Sequence, residues 1–248
     1  MSERLLTVVG PLVLLGLWEA LSRGAWLNPL FFPPPSAIAG TFVALLASGE
    51  LLAHTAASAL RIALGFLAAA VPAIALGMAM GLLRPVRLLL MPAAAALYPV
   101  PKIAVLPLVM LVLGLGEASK IAIVVISVFF LVLVNTVAGV LQISPQYFDV
   151  GRTFGARRLD LYRTVALPGA LPFIMAGCRL AMGFAITVIV GAEFLGSQDG
   201  IGALIWRSYQ TFNLEAMYVG LLVTALLGWL ANLALEEVER VLVPWQRG

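Results

Sequence analysis

Lys102 is the residue whose chemistry stands out first. It is a single cation in the stretch Tyr98-Pro99-Val100-Pro101-Lys102-Ile103-Ala104-Val105-Leu106-Pro107, which is otherwise apolar and interrupted by prolines. A charge carried into apolar surroundings is expensive, so its presence is by default a functional hypothesis. The ammonium could attract an anionic solute. It could equally pair with Glu117 or Glu193, or extend its alkyl stem to an interface. Glu193 reads as a surface or gate residue near the outer end of its apolar stretch, and Arg179 as a snorkelling cation near the opposite end. Asn135 and Thr187 are groups that bundles use to hydrogen-bond from helix to helix. Tyr98, Lys102, Asn135 and Glu193 are the candidate lining of a solute path.

A second constellation lies between Gln142 and Leu171. Ser144-Pro145 supplies an N-cap and a proline at the first helical position. A short helix is expected over Gln146 to Phe154, with Tyr147, Phe148 and Phe154 as its bulky apolar groups. Gly155 permits a sharp turn. A second short helix, Arg157 to Ala166, puts Leu159 and Tyr162 on one side with Arg158 and Arg163 nearby, and Pro168 is expected to stop it. The other loops are minimal, so a polar, basic and patterned segment of this length has a use.

Several chemistries are excluded. The nearest approach to a phosphate-binding loop, Gly114 to Ile121, has Ser119 where a second glycine is needed and Ile121 in place of Ser or Thr. One histidine, His54, and one cysteine, Cys178, cannot make a zinc-ligand set or an intramolecular disulfide, and Cys178 reads as a packed side chain. Neither GxSxG nor HExxH occurs. No cofactor, no metal and no catalytic residue are expected.

The elements that must position these residues are set by composition. The 248 residues are 62% hydrophobic and 11% charged, where a soluble domain has about a quarter charged. At about 20 apolar residues per crossing, the chain has room for an all-α transmembrane bundle of about six spans in one domain. The spans fall at Leu5 to Leu21, within Leu51 to Leu83, Leu88 to Leu115, Lys120 to Leu141, Pro172 to about Phe194, and Leu214 to Leu235. The first is too long for a signal-peptide core and lacks a small-x-small cleavage site. A Ser36-capped amphipathic helix is expected over Ala37 to Leu46. His54 and Arg61 should protrude or sit at the interface, and Pro72 should kink the second span. Gly77 and Gly81 form a GxxxG. The third span carries Pro92, Pro99, Pro101 and Pro107 and must be broken or bent. Irregular backbone at membrane depth is tolerated only against protein or a wet cavity, so Tyr98 to Pro107 is a candidate path wall. Trp18, Trp26, Trp206, Trp229 and Trp245 read as packing and interfacial anchors.

The 15 Lys and Arg lie in short clusters between apolar stretches and give a net charge of +3 only, which excludes a nucleic-acid partner. Arg84 and Arg87 share a side with Arg152, Arg157, Arg158 and Arg163, and the positive-inside rule places that side in the cytoplasm. Arg4, Arg240 and Arg247 join them, so both termini are cytoplasmic. Arg23, Lys120 and Arg207 are left for the outer loops.

The segment 142–171 resembles the cytoplasmic EAA loop of binding-protein-dependent ABC permeases: Glu-Ala-Ala, three residues, Gly, nine residues, then Ile-x-Leu-Pro. Here Asp149-Val150-Gly151, Gly155 and Val165-Ala166-Leu167-Pro168 keep that spacing, with Asp for Glu, Val-Gly for Ala-Ala and Val for Ile. Pro101 to Pro107, Gly114 to Lys120, Asn135-Thr136 and Ala192-Glu193-Phe194-Leu195-Gly196 are similar to the nitrate/sulfonate/taurine branch. The resemblance implies the type I importer permease (MetI-like) fold in the bacterial inner membrane. It implies that Phe148, Asp149, Gly151, Arg152, Phe154, Gly155, Arg157, Arg158, Tyr162, Leu167 and Pro168 couple to a cytoplasmic ATPase dimer, with Phe148, Phe154 and Tyr162 as anchors. A periplasmic or lipid-tethered solute-binding protein and a second permease subunit, most simply an identical one, complete the implied assembly. A small anion such as a sulfonate, taurine or nitrate is the expected solute, with heterocyclic vitamin precursors left open. The alternatives are an ion-coupled secondary transporter and a membrane scaffold for an enzyme complex.

Overall fold

The computed structural model describes residues 3–246, with side chains from 9 to 245, and every element among them is helical. Arg247 lies outside the described residues, as does the side chain of Arg4. The helices are α1 (Glu3–Arg23), α2 (Pro35–Ala47), α3 (Glu50–Leu82), α4 (Arg84–Leu97), α5 (Lys102–Leu113), α6 (Glu117–Leu141), α7 (Pro145–Thr153), α8 (Arg158–Leu161), α9 (Leu167–Glu193), α10 (Ile201–Gln210) and α11 (Leu214–Leu242). Single helices containing α3, α6, α9 and α11 are long and apolar enough to cross a membrane, and α4 with α5, bent by 98° at their break, adds a fifth crossing if counted together. The expected first span falls on α1, which is not among these helices, so the described residues give four or five crossings where about six were expected.

The broken third span arises as its prolines require. Pro99 and Pro101 remove donors and disfavour helix in the residues before them, so α4 ends at Leu97 and α5 starts after Pro101. Pro85 sits in the first turn of α4, where its missing N–H costs nothing, and the Arg87 guanidinium donates to the Gly81 carbonyl (3.0 Å) at the end of α3. Helix α3 continues through Pro72 without interruption.

Residues up to Ser58 together with Glu193–Ala225 form one compact unit, and Ala59–Ala192 with Leu226 onward form another. In the larger unit α6 is central. A Cβ added to Gly65 or Gly77 would stand 2.7 Å from Val124 or 2.6 Å from Thr136, and one on Gly81 would overlap Val140. These numbers rise together at a constant interval, so α3 and α6 run parallel in fixed register, with glycine letting the backbones close. Gly139 against Phe173 and Gly177 against Asn135 show the opposite ordering, so α9 runs antiparallel to α6. Buried Val128, Val132, Ile174 and Ile189 fill the space between, and Cys178 is packed among them.

In the smaller unit, Ser36 does not cap its own helix. Helix α2 begins at Pro35, and Ser36 donates from both its N–H (3.0 Å) and its hydroxyl (2.7 Å) to the carboxylate of Glu19. Glu19 of α1 thus supplies the negative charge that a helix N-terminus favours. Trp18 packs on Tyr218, ring centroids 5.6 Å apart.

Candidate functional site

The segment after α6 folds as a helical hairpin. Ser144 and Pro145 start α7 as expected, although the Ser144 side chain makes no cap bond. Helix α7 closes in a Schellman arrangement: Gly155 N–H donates to Arg152 O (2.9 Å) and Ala156 N–H to Gly151 O (3.0 Å), with Gly155 at φ +78°. Arg157 then starts α8, its N–H held by the Asp160 carboxylate at 2.9 Å.

Pro168 does not stop the chain as expected. Residues Tyr162–Ala166 form a π-turn, Leu167 N–H reaches back to Tyr162 O, and α9 continues through Pro168 and Pro172. A π-turn already interrupts the ordinary ladder, so the donor missing at Pro168 costs little there. The fifth span is therefore rigidly continuous with the hairpin.

The three expected anchors part company. Phe154 is 87% exposed, whereas Phe148 and Tyr162 pack against the core of the bundle and hold the hairpin to it. Tyr147, Val150 and Leu159 join Phe154 as exposed apolar groups. Val150 and Leu159 escape a reading by bulk alone, because only the fold shows that they stay exposed. Asp149 is paired with Arg152 (2.9 Å), leaving the exposed Arg157, Arg158 and Arg163 to make the surface basic.

At the α4/α5 break, Lys102 pairs with neither Glu117 nor Glu193. Its ammonium donates to the carbonyls of Leu97 (2.7 Å), Tyr98 (3.0 Å) and Val100 (2.9 Å) and lies 5.1 Å from the centre of the Phe130 ring. It caps the C-terminus of α4, where cations are favoured. A recess of about 380 Å³ opens here, with Tyr98, Lys102, Ser127, Phe130 and Thr187 among its lining residues. Asn135 and Glu193 are not in that lining. Asn135 and Thr187 bond back to Leu131 O (2.8 Å) and Gly183 O (3.0 Å) of their own helices, not across the bundle.

Several other charges differ from expectation, Arg179 not among them. Arg61 and His54 are buried, and Lys120 is buried in the first turn of α6, where it donates to Glu117 at 3.1 Å. Arg179 pairs with Glu239. Glu193 is buried, not a surface residue. Leu51, His54, Ser58 and Arg61 recur at three- and four-residue spacing on one face of α3, and that face is buried.

Residues 62–248 match the family described as binding-protein-dependent transport system inner membrane component. The chain belongs to this family. The permease is 32% identical to the taurine transport system permease protein TauC of Escherichia coli (strain K12), over 99% of this chain and 91% of that one. It is also 32% identical to the nitrate import permease protein NrtB of Leptolyngbya laminosa, over 94% of this chain and 88% of the other. A solved inward-facing structure of the MetNI methionine ABC transporter shares its fold with a TM-score of 0.66 at 16% identity, covering 76% of this chain and 94% of that one. The permease is thus the membrane subunit of an ABC importer; ATP hydrolysis belongs to a separate subunit, and a solute-binding protein delivers cargo. An autonomous ion-coupled transporter and a passive scaffold are set aside.

Proposed function

We propose that residues 142–171 are the coupling loop through which a cytoplasmic ATPase dimer moves this permease. The recess at the α4/α5 break then belongs to the path of a small anionic solute. The observation that carries the first reading is the exposure of Tyr147, Val150, Phe154 and Leu159 on a hairpin held from beneath by Phe148 and Tyr162. Exposed apolar groups on a segment that also exposes Arg157, Arg158 and Arg163 suit a protein cleft with an acidic rim, where aromatic anchors dominate binding. Asp149, Gly151, Arg152 and Gly155 set the hairpin's shape, and Leu167 and Pro168 join it to α9. The whole chain acts as one permease domain with this loop as its transducer.

Lys102 supports the anionic solute. Its partners are carbonyls and an aromatic face, so among the described residues its charge meets no carboxylate and biases the recess toward anions. Relatives named for taurine and nitrate favour a sulfonate, taurine or nitrate. Two permease subunits, most simply identical, surround the path. A periplasmic or lipid-tethered binding protein faces its outer end, and both termini are cytoplasmic by the positive-inside rule.

Copurification of the tagged permease with its ATPase from membranes tests the loop. Wild type retains the ATPase, and Phe154→Asp and Asp149→Arg lose it while inserting normally. Retention by both variants would overturn the assignment.

A further inference from the structure

We infer that the recess at the α4/α5 break is built for a zwitterion, a short chain with an acid at one end and an ammonium at the other, and that Ser127 and Thr187 select the ammonium. The inference rests on the reading of that recess as part of the solute path. Its lining includes Tyr98 and Lys102 at the break, Ser127 and Phe130 of α6, and Phe184 and Thr187 of α9. On each of the two helices a hydroxyl and a phenyl ring stand three residues apart and so share a face. Because α9 runs antiparallel to α6, both hydroxyls fall toward the start of α6 and both rings toward its end.

The recess therefore has two ends of different chemistry. At the ring end, the Lys102 ammonium lies 5.1 Å from the centre of the Phe130 ring. Its three N–H groups already hold the Leu97, Tyr98 and Val100 carbonyls, so it acts on a solute through its charge, which draws the acid. At the hydroxyl end the protons are spent. Ser127 Oγ donates to Ile123 O (2.7 Å) and Thr187 Oγ1 to Gly183 O (3.0 Å). What these oxygens have left is lone pairs, which accept from an ammonium and offer nothing to an anion. The exposed Phe184 ring adds an aromatic face of the kind that attracts a cation. An anion without an amine uses only the Lys102 end. Among the described residues no carboxylate lines the recess, so the ammonium is held by neutral groups alone. Such binding is weak, as a path requires, since a solute that enters must also leave.

Taurine and propane-1-sulfonate test the assignment: their chains are of equal length, and a methyl group of the second replaces the ammonium of the first. Equilibrium dialysis of each against the permease–ATPase complex in lipid nanodiscs, without binding protein, reads the two affinities. Wild type binds taurine at least fivefold more tightly. Ser127→Ala and Thr187→Val bring taurine down toward propane-1-sulfonate and leave the latter no weaker. Thr187→Ser, which keeps the oxygen, behaves as wild type. Equal affinities or the opposite preference in wild type, or a preference that survives in both variants, overturns the zwitterion. Failure of wild type to bind either probe, or affinities for both that Lys102→Met leaves unchanged, instead overturns the reading of the recess beneath it. Should Ser127→Ala disturb the packing of its buried site, Thr187→Val on the exposed wall carries the same comparison.

Discussion

The Arg61 guanidinium grips the Glu117 carboxylate through two hydrogen bonds of 2.6 Å, and Arg61 is only 2% exposed while Glu117 opens to solvent. Buried Lys120, opposite Arg61 in the parallel α3/α6 register, shares the same carboxylate. The Glu117 carboxylate is thus shared by two buried cations. Removing the anion should hurt more than removing Arg61: Glu117→Gln is expected to cost about 2 kcal/mol, because two buried cations lose a charge-assisted partner at once. Arg61→Met leaves Glu117 free to hydrate and costs less. Thermal unfolding in detergent checks the order, and equal losses would contradict it.

Phe154 and Phe148 lie six residues apart and should behave oppositely. Phe154→Ala is expected to leave the unfolding midpoint nearly unchanged, since exposed substitutions fall within about 0.5 kcal/mol, and to weaken ATPase binding at least tenfold. Phe148→Ala should lower stability by about 3 kcal/mol through lost packing. Parallel titration of the ATPase and thermal unfolding of both variants separate the two roles.

Gly155 sits in the left-handed region, where a side chain costs roughly 1–2 kcal/mol. Gly155→Ala should loosen the end of α7 and reduce nucleotide-driven transport. Gly155→Asn, which tolerates that conformation better, should retain more. Transport assayed in vesicles with the matched ATPase ranks them, and a reversed order would remove the turn from the mechanism.

Gly77 and Gly183 are both helical, yet the first abuts Thr136 and the second has nothing within 4 Å of an added Cβ. Gly77→Ala must spread α3 from α6, an overpacking cost of about 1–3 kcal/mol. Gly183→Ala should be neutral or stabilising by up to about 1 kcal/mol through helix propensity. Denaturation of the two variants in one detergent decides.

Lys102→Met removes both the cap of α4 and the charge at the recess. Uptake of taurine or nitrate in a reconstituted importer should fall at least tenfold, with ATPase binding retained because the hairpin is untouched. Unchanged uptake of both anions would separate Lys102 from the solute path.

Local chemistry made much of this permease legible from its residues. Prolines delete donors, so a break in the third span was expected over Tyr98 to Pro107, and the structure confines it to the residues before Lys102 while α5 runs through Pro107; Gly155 marked the hairpin turn because few other residues enter its backbone region. Pro168 misled because the effect of a proline depends on the ladder around it, and the π-turn of Tyr162–Ala166 had no signature in composition. Ser36 misled similarly: a good capping residue was taken up by Glu19, far away in sequence.

The sequence by itself determined a membrane-embedded helical chain, the approximate position of each long helix, the broken span and the patterned hairpin, because burial in lipid, missing donors and backbone freedom act over a few neighbouring residues. Only the tertiary structure decided that Arg61 meets Glu117, that Lys102 meets carbonyls, that Glu193 meets Ser58, and which aromatics of the hairpin face outward. Those outcomes depend on the register between helices, and register is set by glycine contacts and side-chain packing spread over the whole length of α3, α6 and α9.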